Sequence, residues 1–181
     1  MEKFDVLDSN GNKTGNVKPR DEVHKDGDWH KAVHIWIINN QGELILQKRS
    51  KEKVTNPNMW TTSTSGHLSA GDTPIIGAIR ELREEIGLQI NEEDLEYLFT
   101  VKEQTVHNNG MLINNEIIDV FLISQNVDIN TLKLQLEEVS EVKYIPYIEF
   151  EKMVNSNAKD LVQHKELHHK LLEIIHNRFD K

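Results

Sequence analysis

The chain has 181 residues, a formal net charge of −9 and no cysteine. That length suits one domain with a real core. The missing cysteines exclude disulfides, thiolate zinc sites and a cysteine nucleophile. An acidic balance with no offsetting basic run argues against nucleic acid as a partner. There is no apolar stretch after Met1-Glu2-Lys3 and no run of membrane length, so a cytoplasmic protein without a membrane partner is expected.

In chain order, Phe4 to Leu7, a Ser9-Asn10-Gly11 turn and Lys13 to Val17 predict an N-terminal hairpin within about residues 1–20. His30 to Ile38 is rich in β-formers and reads as a strand, turned at Asn39-Asn40-Gln41-Gly42 and answered by Glu43 to Lys48. On the first of these, His30, Ala32, His34 and Trp36 fall on one face. Arg49 and Lys53 follow in a basic stretch that is either a solvated loop or a grip for phosphate, arginine bidentately and lysine as a point charge. The tryptophans Trp29, Trp36 and Trp60 suit core or rim packing better than base stacking.

Ser63 to Gly71 reads as a loop of small residues that allows close backbone approach. Asp72-Thr73-Pro74 then predicts a helix start with Asp72 as N-cap and Pro74 in the first turn. Gly87 suits a left-handed cap at the other end. Between them, Glu81, Glu84 and Glu85 share one helical face, while Ile79, Leu82 and Ile86 form an apolar stripe. Exposed, the three acids need be only a solvated face. Lining a cleft, they would repel by roughly 3 kcal/mol per pair at about 5 Å, and would then need a proton or a hard cation that takes oxygen ligands.

Downstream, Leu95 to Glu103, Glu116 to Ser124 and Val142 to Pro146 read as strands. Glu116 shares a face with Ile118, Val120 and Leu122, so it is either solvated at the strand end or paired. Helices close the chain over about 147–179, from Tyr147 to Val154 and from Asp160 to Phe179, the second with a core-docking stripe. His164 and His168 lie one turn apart there, without the glutamate that follows the first histidine of a zinc protease, and read as a surface helix. No repeat or linker divides the chain, which is read as one domain over 1–181.

The segment from Gly66 to Leu88 resembles the Nudix box, G-x5-E-x7-R-E-U-x-E-E-x-G-U. Gly66, Arg80, Glu81, Leu82, Glu84, Glu85, Gly87 and Leu88 match, and Asp72 stands where the box has glutamate. The resemblance implies an α+β fold, an α/β/α sandwich with a mixed sheet. It further implies that Glu81, Glu84, Glu85 and the Ser65–Gly66 backbone hold Mg²⁺ or Mn²⁺. Arg80 would brace a glutamate, with Asp72 and Gly87 structural, and Glu116 would supply a further carboxylate. The expected reaction is attack of water on a diphosphate, with Glu84 or Glu81 taking the proton. The substrate would be a small-molecule nucleoside diphosphate or an NDP-linked compound, and the protein a monomer or homodimer.

The stretch His24 to His30, followed by Trp60 to His67, is similar to type 1 isopentenyl-diphosphate isomerase, and that resemblance runs to about Glu116. It implies a candidate second metal site at His24, His30 and His67. Ser65 stands in place of the isomerase cysteine and Asn114 in place of one of its paired glutamates, and both depart from isomerase chemistry. Hydrolysis is the expected activity, with isomerisation and non-catalytic nucleotide sensing as alternatives.

Overall fold

The computed structural model describes residues 2–180, and the side chain of Asn108 lies outside that description. The strands are β1 (Lys3–Leu7), β2 (Lys13–Pro19), β3 (Trp29–Ile38), β4 (Glu43–Arg49) and β5 (Trp60–Thr61). They continue with β6 (Thr64–His67), β7 (Glu96–His107), β8 (Leu112–Ser124) and β9 (Val139–Pro146). The helices are α1 (Arg20–Asp26), α2 (Pro74–Glu85), α3 (Tyr147–Asn155) and α4 (Lys165–Phe179).

Strand β3 organises the sheet, pairing with β1, β4 and β6 antiparallel and with β8 in parallel from Trp29↔Asn115 to Ile38↔Ser124. The sheet is therefore mixed. Alternation along β3 sends its side chains to two cores. Ala32, Trp36 and Ile38 pack with Phe150, Leu167, Leu171 and Ile175 of α3 and α4. Val33, Ile35 and Ile37 pack with Ala78, Leu82 and Ile86 at α2. Helices thus cover both faces of the sheet, the α/β/α sandwich the box implies.

Four expectations need correction. The stretch from Ser63 to Gly71 is not all loop: Thr64–His67 forms β6, which pairs with β3. Its serine and glycine residues have little β-propensity, and the pairing with β3 overrides it. Helix α1 has no counterpart in the sequence reading; its seven residues are ended by Gly27 in the left-handed region at φ 70°. The N-cap of α2 is Thr73, whose hydroxyl accepts from the Ile76 amide at 3.3 Å, not Asp72. Helix α4 starts at Lys165 and not Asp160. The preceding residues are drawn onto β5, where the Trp60 amide donates to Asp160 at 2.7 Å and the Val162 amide to Trp60 at 2.9 Å.

Candidate active site and histidine cluster

One open cavity of about 920 Å³ collects nearly all the singled-out side chains: Glu81, Glu84, Glu85, Arg49, Lys53, His24, His67 and Glu116. Its acids outnumber its lysines and arginines. Strand β6 runs through the arrangement, and its pleat sorts the donors. By register, Thr64 and Gly66 face the same way as Ile35 and Val33, toward α2, whereas Ser65 and His67 face the same way as His34 and Ala32.

On the α2 side, Glu81 and Glu85 are buried, at 9% and 7% exposure, and Glu84 stands at the rim. The three are not equivalent members of one solvated face. Glu85 is held in the strand layer: Gln47 Nε2 donates to it at 3.1 Å, the Ser65 amide at 3.4 Å, and the Thr64 hydroxyl also donates. Burial pushes its carboxyl up, against the pull of those donors. Burial, with Glu85 nearby, pushes the Glu81 carboxyl up to about 8 despite the adjoining arginine. A carboxylate pair this costly to ionise fits a cation between its members.

Arg80 binds Glu81 Oε1 at 2.7 Å and lies 3.5 Å from Glu84 Oε2. It also donates to the His67 carbonyl at 2.9 Å, tying α2 to β6. Asp72, one methylene shorter than glutamate, still reaches Arg80 but only at 3.6 Å. Gly66 has no room for a side chain, because a β-carbon there would overlap the Glu81 carboxylate. Gly87, at φ 70°, ends α2 and has Lys133 packed against it. Arg49 lines the cavity with its guanidinium on the Thr55 carbonyl at 2.9 and 3.1 Å, and Lys53 is paired with Glu138. Gln47, Thr64 and Glu138 were not among the expected site residues. A buried polar residue such as Gln47 inside an apolar strand was the available signal.

On the other side, His24, His30 and His67 bring one nitrogen each to within 4.8 Å of one another. The His30 Nδ1–H donates to the Asp28 carbonyl at 3.0 Å, which leaves its Nε2 lone pair free. Nε2 of both His24 and His30 is buried without a hydrogen-bond partner. Burial, with His67 close by, lowers both rings to about 4, so both are neutral at physiological pH. Phe4 stacks on His30 and His67 at ring distances of 5.2 and 5.0 Å and walls the cluster off. Glu116 is not solvated: it is buried at 8% exposure with Oε1 2.8 Å from His67 Nε2. Burial raises its carboxyl, but the histidines more than offset this and hold it well below the usual carboxylate range. The neutral His24 and His30, with unpartnered Nε2 atoms converging on His67 beside the Glu116 carboxylate, fit a divalent metal.

The expectation of a surface helix at His164 and His168 fails. His168 is fully buried against Trp36 and Phe150, and His164 donates from Nδ1 to Glu103 Oε2 at 2.6 Å. Trp36 and Trp60 are core residues, at 0% and 8% exposure.

The NUDIX domain model matches residues 28–165. "Nudix hydrolase 3" of Arabidopsis thaliana is 47% identical over 152 residues, covering 82% of this chain and 20% of that protein, so the chain spans about a fifth of that relative. An isopentenyl-diphosphate Delta-isomerase of Pectobacterium atrosepticum is 30% identical, over 77% of this chain and 73% of its own. Among solved structures, DR0079 from Deinococcus radiodurans shares the fold with a TM-score of 0.70 at 16% identity, covering 98% of this chain and 99% of that one. A near-complete box set on this fold, a model match across most of the chain and relatives from both the hydrolase and the isomerase branch agree: the chain belongs to the Nudix family.

Proposed function

We propose that the chain hydrolyses a diphosphate bond in a nucleoside diphosphate or an NDP-linked compound, with Mg²⁺ or Mn²⁺ held by Glu81, Glu84, Glu85 and the Gly66 carbonyl. The observation that carries this is the buried Glu81–Glu85 pair, whose ionisation is penalised by burial and mutual repulsion until a cation joins it. A divalent cation bound there would neutralise phosphate oxygens and make water more acidic.

The chain's own residues do the rest. Arg49 and Lys53 border the cavity and take the phosphate oxygens, Lys53 exchanging Glu138 for phosphate. Water attacks one phosphorus, a P–O bond forms, and the bridging P–O bond breaks with its electron pair leaving on the departing phosphate. Glu84, the most exposed of the three, accepts the water's proton, and Glu81 is the alternative acceptor. Arg80 holds Glu81 in place and keeps α2 registered on β6.

The test is Mg²⁺-dependent release of phosphate or nucleotide from a panel of diphosphates. Glu84→Gln and Glu85→Gln should each lower turnover by about 10²- to 10⁴-fold. Full turnover in both variants overturns the reading.

A second reading, isomerisation of isopentenyl diphosphate, is favoured by the convergent His24, His30 and His67 beside Glu116. Ser65 and Asn114 oppose it, since a serine hydroxyl is far less acidic than a thiol. Incubation with isopentenyl diphosphate should yield no dimethylallyl diphosphate, and its appearance would establish this reading.

A further inference from the structure

Strands β7 and β8 place Glu103 directly opposite Glu116. Like charges across a strand pair are unfavourable, yet both acids point into the cavity. Each has its own imidazole: Glu116 has His67, and Glu103 has His164 at 2.6 Å. The His67–Glu116 pair belongs to the histidine cluster. The His164–Glu103 pair has no part in either metal-capable set.

His164 is set firmly. It is the non-helical residue before α4, at φ −116° and ψ 73°, and its carbonyl accepts from the His168 amide at 2.8 Å. The segment before it is pinned to β5 through the Val162–Trp60 hydrogen bond. His34 packs edge-on against the His164 ring at 4.8 Å, and burial lowers His34 to about 3, so it is a neutral support. A carboxylate accepts only, so the His164 Nδ1–H is the donor, and Glu103 Oε1 takes no hydrogen bond among the described residues. Carboxylate oxygens and imidazole edges presented together pair well with hydroxyl groups, which donate and accept at once.

The rest of the wall sharpens this. Among the described residues, no phenylalanine, tyrosine or tryptophan side chain lines the cavity. A purine or pyrimidine ring therefore finds no broad aromatic face to stack on. Gln163 and Thr105 continue the polar surface beside the pair.

We infer that Glu103 and His164 form the recognition point for the group joined to the diphosphate, and that this group is hydroxyl-bearing, of the sugar or polyol class. This rests on the proposed hydrolysis for its setting but concerns a different part of the cavity. Specificity then resides in the linked group and not in the base. Glu103 and His164 are binding residues and take no part in bond cleavage.

The experiment compares ADP-glucose, UDP-glucose and ADP with Mg²⁺ in the wild-type protein and in Glu103→Gln and His164→Phe, which preserve shape. The wild type should prefer both glucose compounds over ADP by about tenfold or more in kcat/KM, with ADP-glucose and UDP-glucose within about threefold. Each variant should cut the ADP-glucose-to-ADP ratio by about tenfold, through KM and not kcat. An unchanged ratio in both variants, or a larger effect of exchanging the base than of removing glucose, overturns the inference. The same ligands titrated calorimetrically onto Glu84→Gln protein, with and without Glu103→Gln, read binding without turnover. A tenfold loss of the affinity ratio there supports the inference even if no bond is cleaved, in which case the proposed hydrolysis alone fails. An unchanged affinity ratio overturns the inference whatever the turnover.

Discussion

The two faces of β6 carry two chemistries from adjacent residues. Toward α2, Gly66 and Thr64 meet Glu81 and Glu85, an all-oxygen set suited to a hard cation. Toward the other face, His67 joins His24 and His30, a nitrogen set suited to a softer one. The pleat alone separates them, because successive residues of a strand point oppositely. Arg80 links the two through its bonds to the Glu81 carboxylate and the His67 carbonyl. Relatives named as hydrolases and as isomerases both match this chain.

Changes confined to one face test whether the separation is real. The largest effect is expected from Gly66→Ala. The added methyl overlaps the Glu81 carboxylate, and Mg²⁺-dependent turnover should drop by about 10²-fold or more. Co²⁺ absorbance from the histidine set should persist in that variant, and loss of both signals would show the faces to be one site. Next, His67→Ala should weaken Co²⁺ binding by about 10- to 100-fold as judged by spectroscopic titration. Unaltered Co²⁺ affinity would remove His67 from the ligand set.

A smaller effect concerns pH. The carboxyl of Glu81 is raised by burial from an ordinary 4.5 to about 8, so the metal-free folded state holds a proton that the unfolded chain has lost. The stabilisation is complete below about 4.5 and is lost as pH rises toward 8. The metal-free melting temperature should therefore fall across that interval, less so in Glu81→Gln, and Mg²⁺ should bind more tightly as pH rises. A melting temperature independent of pH in both proteins contradicts this. The smallest change is expected from Asp72→Glu, which lengthens the reach to Arg80 from its present 3.6 Å. A gain of no more than about 1 kcal/mol in a denaturant melt is expected for a half-buried pair with a single long contact. A loss of stability would show that the shorter acid is the better fit here.

Much of the α2 side was legible in the sequence because its determinants are local. Helical spacing alone places Glu81, Glu84 and Glu85 together, and Gly66 and Arg80 stand at fixed intervals from them. What spacing leaves open is burial: it makes the three acids look alike, whereas Glu81 and Glu85 are buried and Glu84 is exposed. The histidine set was foreseen through family likeness alone, since its members come from α1, β3 and β6. The cross-strand pairing that buries Glu116, and the contact of His164 with Glu103, join residues far apart in the chain. Local pattern carries no trace of such contacts. The start of α4 was misplaced for a related reason, because residues 160–164 read as helix whereas Asp160 to Val162 are captured by β5.

The most direct test is parallel measurement of Mg²⁺-dependent kcat on one cleaved diphosphate for Glu85→Gln and His67→Ala. Both side chains line the same cavity, His67 from one face of β6 and Glu85 from α2 on the other, where it meets Thr64. Hydrolysis from the carboxylate face predicts a loss of about 10³-fold in Glu85→Gln and less than about tenfold in His67→Ala. Equal losses, or the larger one in His67→Ala, would contradict it.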